Sequence, residues 1–154
     1  MKKATSLDLA LLILRLALGS IMLAHGLQTL GLIPGGAGGI QQTIERMATM
    51  NIPTWMAWLS IVAEVGGGVL LLMGLFGRLA AFVVAINMAT AIYKMHYMNG
   101  FFNPDGIEFP LALFAMGAAL LVTGMGAFSL DAMMARSMDK TIQAKNKPET
   151  PPPS

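Results

Sequence analysis

There is no cysteine among the 154 residues, which excludes disulfides, thiolate metal sites and thiol redox chemistry within this chain. Any thiol in a reaction it joins must come from a partner. Charge is scarce as well: 12% of residues are Asp, Glu, Lys or Arg, against about 25% in soluble domains. The net charge of +2 is small and gathered mostly at the chain ends, which argues against a nucleic-acid partner. The two histidines, His25 and His96, carry no ligand spacing of the H-x-x-x-H kind, so no metal site is read here. What fills the chain instead is hydrocarbon. The hydrophobic fraction is 55% and the mean hydropathy +0.65, values that decide for a membrane protein.

Four apolar segments are long enough to cross about 30 Å of hydrocarbon, which takes roughly 20 helical residues: Leu7–Leu32, Trp55–Phe76, Leu79–Met98 and Phe109–Phe128. The fold expected is therefore all-α, a polytopic four-transmembrane-helix bundle over residues 1–135. The first run is too long for a signal-peptide core and is broken by Asp8 and Arg15, so it reads as a retained helix. Only Gly77 and Arg78 separate the second and third segments, a tight helical hairpin. Between the first two, Ile40, Ile44 and Met47 recur at helical spacing beside Gln41, Glu45 and Arg46, predicting a short amphipathic helix over Ile40–Met50 at the membrane surface. Asn103-Pro104-Asp105-Gly106 is a turn signal. Residues 136–154 are polar, end in Pro151-Pro152-Pro153 and read as a disordered tail.

Lys and Arg near the segment ends set orientation. With both termini inside, the cytoplasmic side holds Lys2, Lys3, Arg78, Arg136, Lys140, Lys145 and Lys147, and the other side Arg46 and Lys94. Seven against two favours cytoplasmic termini. Between helices, packing relies on small residues, because lipid supplies no hydrophobic drive. Ala81, Ala85 and Ala89 form a ridge, and Gly66, Gly67, Gly68, Gly74, Gly117, Gly124 and Gly126 permit close backbone approach.

Against this background the buried polar residues stand out. An ionisable side chain at the bilayer centre costs roughly 2.5–3.5 kcal/mol, yet Glu64 and Arg15 lie inside apolar runs. Counted from the cytoplasmic ends, they sit roughly 18 Å and 12 Å deep, so an interior Arg15–Glu64 ion pair is expected. Toward the outer face come His25, Gln28 one turn above it, Lys94 and His96, and Glu108 at the start of the fourth segment. Asn87, Thr90 and Lys94 share one helix face; Ala85, Ala89, Ile92 and His96 share another, which the alanine ridge turns inward. His25, Glu64, His96 and Glu108 are the candidate catalytic residues, with Gln28 and Asn87 as candidate cofactor contacts.

Three blocks of this sequence resemble the DoxX family of small four-helix membrane proteins. They are R-L-A-L-G-S-I-M-L-A-H-G-L-Q from Arg15, A-E-V-G-G-G-V-L-L-L-M-G-L-F-G-R from Ala63, and the stretch from E-F-P-L-A-L at Glu108 to G-M-G-A-F-S-L-D at Asp131. The likeness runs from about Leu12 to Asp131. One departure is Thr29, where many members carry a lysine. The resemblance implies a bacterial or archaeal inner-membrane protein tied to respiratory or sulfur redox systems, with a quinone as the implied cofactor and other oxidoreductase subunits as implied partners.

The leading expectation is a membrane subunit of a redox complex. In it Arg15, His25, Glu64, His96 and Glu108 line a cavity open toward the outer leaflet, and a histidine exchanges protons with a quinol. No redox cofactor is encoded, so electrons come from elsewhere. The alternatives are a non-enzymatic scaffold using the basic tail, and a small transporter or lipid-binding protein, which four helices would build as a homo-oligomer.

Overall fold

Glycines decide where the helices stop. The structure, a computed structural model, describes residues 5–35, 38–102, 104 and 106–145. Helix α1, Ser6–Thr29, starts on a capping box in which Thr5 and Asp8 satisfy each other's backbone N–H. It ends short of Leu32 because Gly31 turns left-handed, φ +75°. Helix α2, Ile40–Thr49, is the predicted amphipathic piece. Helix α3, Thr54–Met73, follows Pro53 and closes on Gly74, φ +65°. Helix α4, Gly77–Ala91, runs on through a π-helical turn, Ile92–His96, and a 3₁₀ turn, Tyr97–Asn99. Helix α5 is Glu108–Thr123 and α6 is Leu130–Lys145. No strand occurs among the described residues.

Three of these, Ser6–Thr29, Thr54–Met73 and Gly77–Asn99, are long and apolar enough to cross a membrane. The fourth apolar helix, α5, has 16 residues rather than the 20 read from the sequence. Gly124 and Gly126, both at positive φ, break it before Phe128 and turn the chain. The α3–α4 hairpin turns at Gly74–Phe76, one step before the Gly77-Arg78 pair expected to form it. The tail is a further correction in part: residues 136–145, expected to be disordered, belong to helix α6, and residues 146–154 lie outside the described residues. So do Asn103 and Asp105 of the predicted turn, whose remainder closes through Gly106 N–H donating to Phe102 O at 3.0 Å.

Small residues bring the helices together, although Gly66, one of those expected to, meets nothing within 4 Å. On α1, Gly19 lies against Gly68 and Leu72 of α3, and Gly26 against Val65. Gly117 of α5 packs on Ala81 and Ala85 of α4. The alanine ridge stops there, since Ala89 is exposed. Leu18, Met22, Leu71, Val84, Leu113 and Leu120 fill the centre. Outside, Leu7, Ile13, Val62, Phe82, Ile86 and Val122 are exposed on apolar surfaces that only lipid satisfies. Trp55, Trp58, Tyr93 and Tyr97 crowd the end of the bundle that carries α2, an aromatic belt. The chain is an all-helical membrane protein.

The opposite end is tied by charge. Asp131 at the start of α6 accepts from Phe76 N–H and Gly77 N–H, both at 2.9 Å, and so caps α4. Asp8 accepts from Ala127 N–H at 2.8 Å, pinning the α5–α6 turn to α1. Arg136 donates from its guanidinium to Ala127 O.

Candidate functional site

The expected Arg15–Glu64 pair does not form. Arg15, 3% exposed, donates to Leu71 O at 3.4 Å, Leu72 O at 3.3 Å and Phe128 O at 2.9 Å. Two of these carbonyls belong to the last turn of α3, where regular i+4 N–H partners run out; Leu71 O also accepts from Gly74 N–H at 3.1 Å. The cation thus caps α3 and faces the negative end of its dipole. Counting depth from the ends failed because the helix ends are not flush. Gly26 packs on Glu64 and Val65 while Gly19 packs on Gly68 and Leu72, so in this antiparallel register Arg15 falls level with the end of α3. Gly74 leaves the room: a Cβ there would strike the Arg15 guanidinium and Ser129.

Glu64 sits elsewhere, on the wall of a chamber of about 370 Å³ toward the α2 end. Its Oε2 accepts from Thr29 Oγ1 and its Oε1 from Ser60 Oγ, both at 3.4 Å. Thr29 stands one turn beyond His25 on α1, and Ser60 one turn before Glu64 on α3. Both histidines line the same chamber, His25 with its ring tilted against Phe109 at 5.8 Å between centroids. Met22, Met88 and Leu113 make the floor apolar. Helix α2 covers it, contributing Thr43, Arg46 and Met47.

Three of the four candidate catalytic residues therefore converge: His25, Glu64 and His96. Glu108 does not line the chamber; it opens α5, where its N–H donates to Phe101 O at 2.9 Å. Gln28 also stands outside, with Nε2 donating to Pro34 O at 3.2 Å and holding the loop after α1. Asn87 does line the chamber, and its Nδ2 is buried without a hydrogen-bond partner among the described residues. In a regular helix Asn87 and His96, nine residues apart, would point to opposite sides. The π turn at Ile92–His96 absorbs one extra residue and brings His96 round to the Asn87 side. Lys94 is exposed, its Nζ 5.5 Å from the centroid of the Tyr93 ring.

Four polar lining residues were not read from the sequence: Thr29, Thr43, Ser60 and Arg46. Ser60 carried a signal, four residues before Glu64 on one helix face. Thr43 carried one too, four residues before Met47 on α2, but nothing fixed which face of α2 turns inward. Thr43 Oγ1, like Asn87 Nδ2, is buried and has no partner among the described residues. Among the described residues no three His, Asp or Glu come close enough to hold a metal ion. The chamber sets two histidines, Arg46, Asn87 and one carboxylate over an apolar floor, the mixture of apolar lining and few polar groups that marks a candidate small-molecule site.

A family model described as DoxX matches residues 10–97. A Bacillus subtilis (strain 168) protein named "Putative oxidoreductase CatD" is 28% identical over 126 residues, covering 82% of this chain and 87% of that protein. Two Escherichia coli (strain K12) proteins are also similar. Inner membrane protein YphA is 36% identical, covering 60% of this chain and 72% of its own length. Inner membrane protein YqjF is 30% identical, covering 82% of this chain and 93% of its own length. No solved structure matches the chain.

Proposed function

The chain belongs to the DoxX family, and from that premise we propose that it is an integral subunit of a redox complex whose chamber takes a quinone ring. The observation that carries the reading is the pair of buried donors, Asn87 Nδ2 and Thr43 Oγ1, left without partners on one apolar-floored chamber. An unmet buried donor costs about 1–3 kcal/mol, and a ring with carbonyl oxygens would satisfy both. The relative named as an oxidoreductase supports the redox half of the reading.

When bound, a quinone accepts two electrons and two protons. The electrons are supplied by a partner subunit carrying a redox group. His25, His96 and Glu64 are the chain's own proton-exchanging groups on the chamber wall. Thr29 and Ser60 hold the Glu64 carboxylate in place. The protein passes the inner membrane several times with both termini in the cytoplasm, a topology supported by the seven-to-two bias of Lys and Arg. Arg15, Gln28 and Glu108 act in the frame and at the rim rather than on the ring.

The test is binding of a tail-less dimethoxy-methyl-benzoquinone to the purified protein in lipid nanodiscs, by calorimetry. Saturable binding is expected, weakened several-fold in Asn87→Leu, a loss of one donated hydrogen bond to a ring oxygen. Wild-type protein that takes up no ring removes the proposal.

One observation favours a second reading, a scaffold for oxidoreductases. Met133, Met134, Met138 and Ile142 of α6 are all more than half exposed, an apolar surface on a helix that otherwise carries charge.

A further inference from the structure

Beside the chamber, on the outer surface between α3 and α4, runs a groove of about 500 Å³. Its walls are hydrocarbon: Trp55, Leu59 and Val62 from α3, Phe82, Val83 and Ile86 from α4. It spans Trp55–Ala63 on one helix and Phe82–Thr90 on the other, about two helical turns. Three polar residues break this apolar lining, Thr90 and, on the side shared with the chamber, the pair Ser60 and Asn87. Both also line the chamber, and both line a third, small hollow of about 40 Å³ beneath α2. Ser60 and Asn87 are therefore the common boundary between a polar interior and a lipid-facing channel.

We infer that the chamber takes its ligand sideways from the bilayer, the polar head lying past Ser60 and Asn87 and a single long hydrocarbon or isoprenoid tail lying in the α3–α4 groove. The inference rests on the ring-binding reading and names what that reading leaves open: the ligand is membrane-borne, and it comes by this side. Helix α2 covers the aqueous end, with Thr43 and Met47 over the chamber. The groove opens where hydrocarbon lies. Ser60 already uses its hydroxyl on Glu64, so Asn87 Nδ2 is the free donor at the boundary, placed to meet a head-group oxygen as it passes.

The groove sets direction and adds little affinity. Lipid tails are as apolar as leucine, so moving a ligand tail from bilayer to groove changes hydrophobic free energy little. The test must therefore read position. The protein in nanodiscs is irradiated with a benzoquinone whose decyl tail ends in an alkyl diazirine, with and without excess tail-less ring, and labelled peptides are mapped. Labels are expected on Trp55–Ala63 and Phe82–Thr90, reduced at least 10-fold by the tail-less ring. Ring-competed labels on α1 or α5 instead would overturn the sideways route and leave the ring site standing. Labels that the ring does not displace would mean ordinary lipid contact, and both the route and the ring site would fall.

Discussion

Two buried polar side chains in this protein do opposite work, and substitution separates them. Arg15 spends the two terminal nitrogens of its guanidinium on three backbone carbonyls, its Nε alone finding no partner among the described residues. Arg15→Met keeps the apolar stem and removes every donation. Hydrogen bonds to a charged group are worth about 1.5–3 kcal/mol each, and partial relaxation leaves a net loss of roughly 2–4 kcal/mol. For a chain of this size that lowers the thermal midpoint by about 5–15 °C, read by circular dichroism in detergent. Arg15→Lys recovers only part, because an ammonium lacks the guanidinium's planar spread of donors. A wild-type midpoint for Arg15→Met would mean the clamp is idle. Asn87 is the reverse case. Its Nδ2 is buried and unmet, so Asn87→Leu should hold or raise the midpoint of the ligand-free protein while weakening ring binding several-fold. A stabilised variant that binds as well as wild type would show the donor to be an accident of packing. The sequence marked both residues as polar in an apolar run, and it could say no more. A helix-end carbonyl and a ligand oxygen are the same acceptor to an arginine or an asparagine, and only the register of α1 on α3 tells them apart.

Elements were legible where hydropathy period and glycine agreed, and illegible where backbone geometry changed without a signal. Helices α1, α3, α4 and α5 and the amphipathic α2 follow from apolar runs and from Ile40, Ile44 and Met47 at helical spacing. The π turn at Ile92–His96 could not be read. No proline or glycine announces it, and its effect is to put His96 on the side that regular spacing gives to Asn87, Thr90 and Lys94. Helix α6 was missed for a different reason. Polar composition matches a solvated helix and a disordered tail equally well, and the proline-rich end weighed toward disorder. Its first two turns have a structural duty, because Asp131 caps α4 and Arg136 holds Ala127 O. A chain stopped after Ser137 keeps both ties and loses Met138 and Ile142. It is expected to unfold within about 2 °C of the full chain, since the deleted turns are exposed and bury little. The same chain should still bind the tail-less ring. If oxidoreductase subunits co-purify with the full chain and are lost from the shortened one, α6 is their docking surface. If they remain, the scaffold reading of α6 fails.

For the whole molecule, the arrangement of chamber, cover and clamp acquires meaning only with a direction across the membrane. Arg78 and Arg136 belong to the α6 end, and Arg46 and Lys94 to the α2 end, so these four cations alone are evenly divided. The bias comes from the chain ends and from Lys140 and Lys145 on α6. Aromatic residues do not resolve it, because tryptophan and tyrosine settle at either interface. The absence of cysteine makes the direct measurement free of background. Ala48→Cys places one thiol on an exposed position of α2, and Ser137→Cys one on an exposed position of α6. A membrane-impermeant maleimide added to intact spheroplasts should label the first at once and the second only after the membrane is opened. That result puts α2 and the chamber toward the outer face, with proton exchange through His25 and His96 on that side. Labelling in the reverse order would invert the protein, and the positive-inside argument would then be wrong for a chain whose cations sit so largely on its last helix and tail.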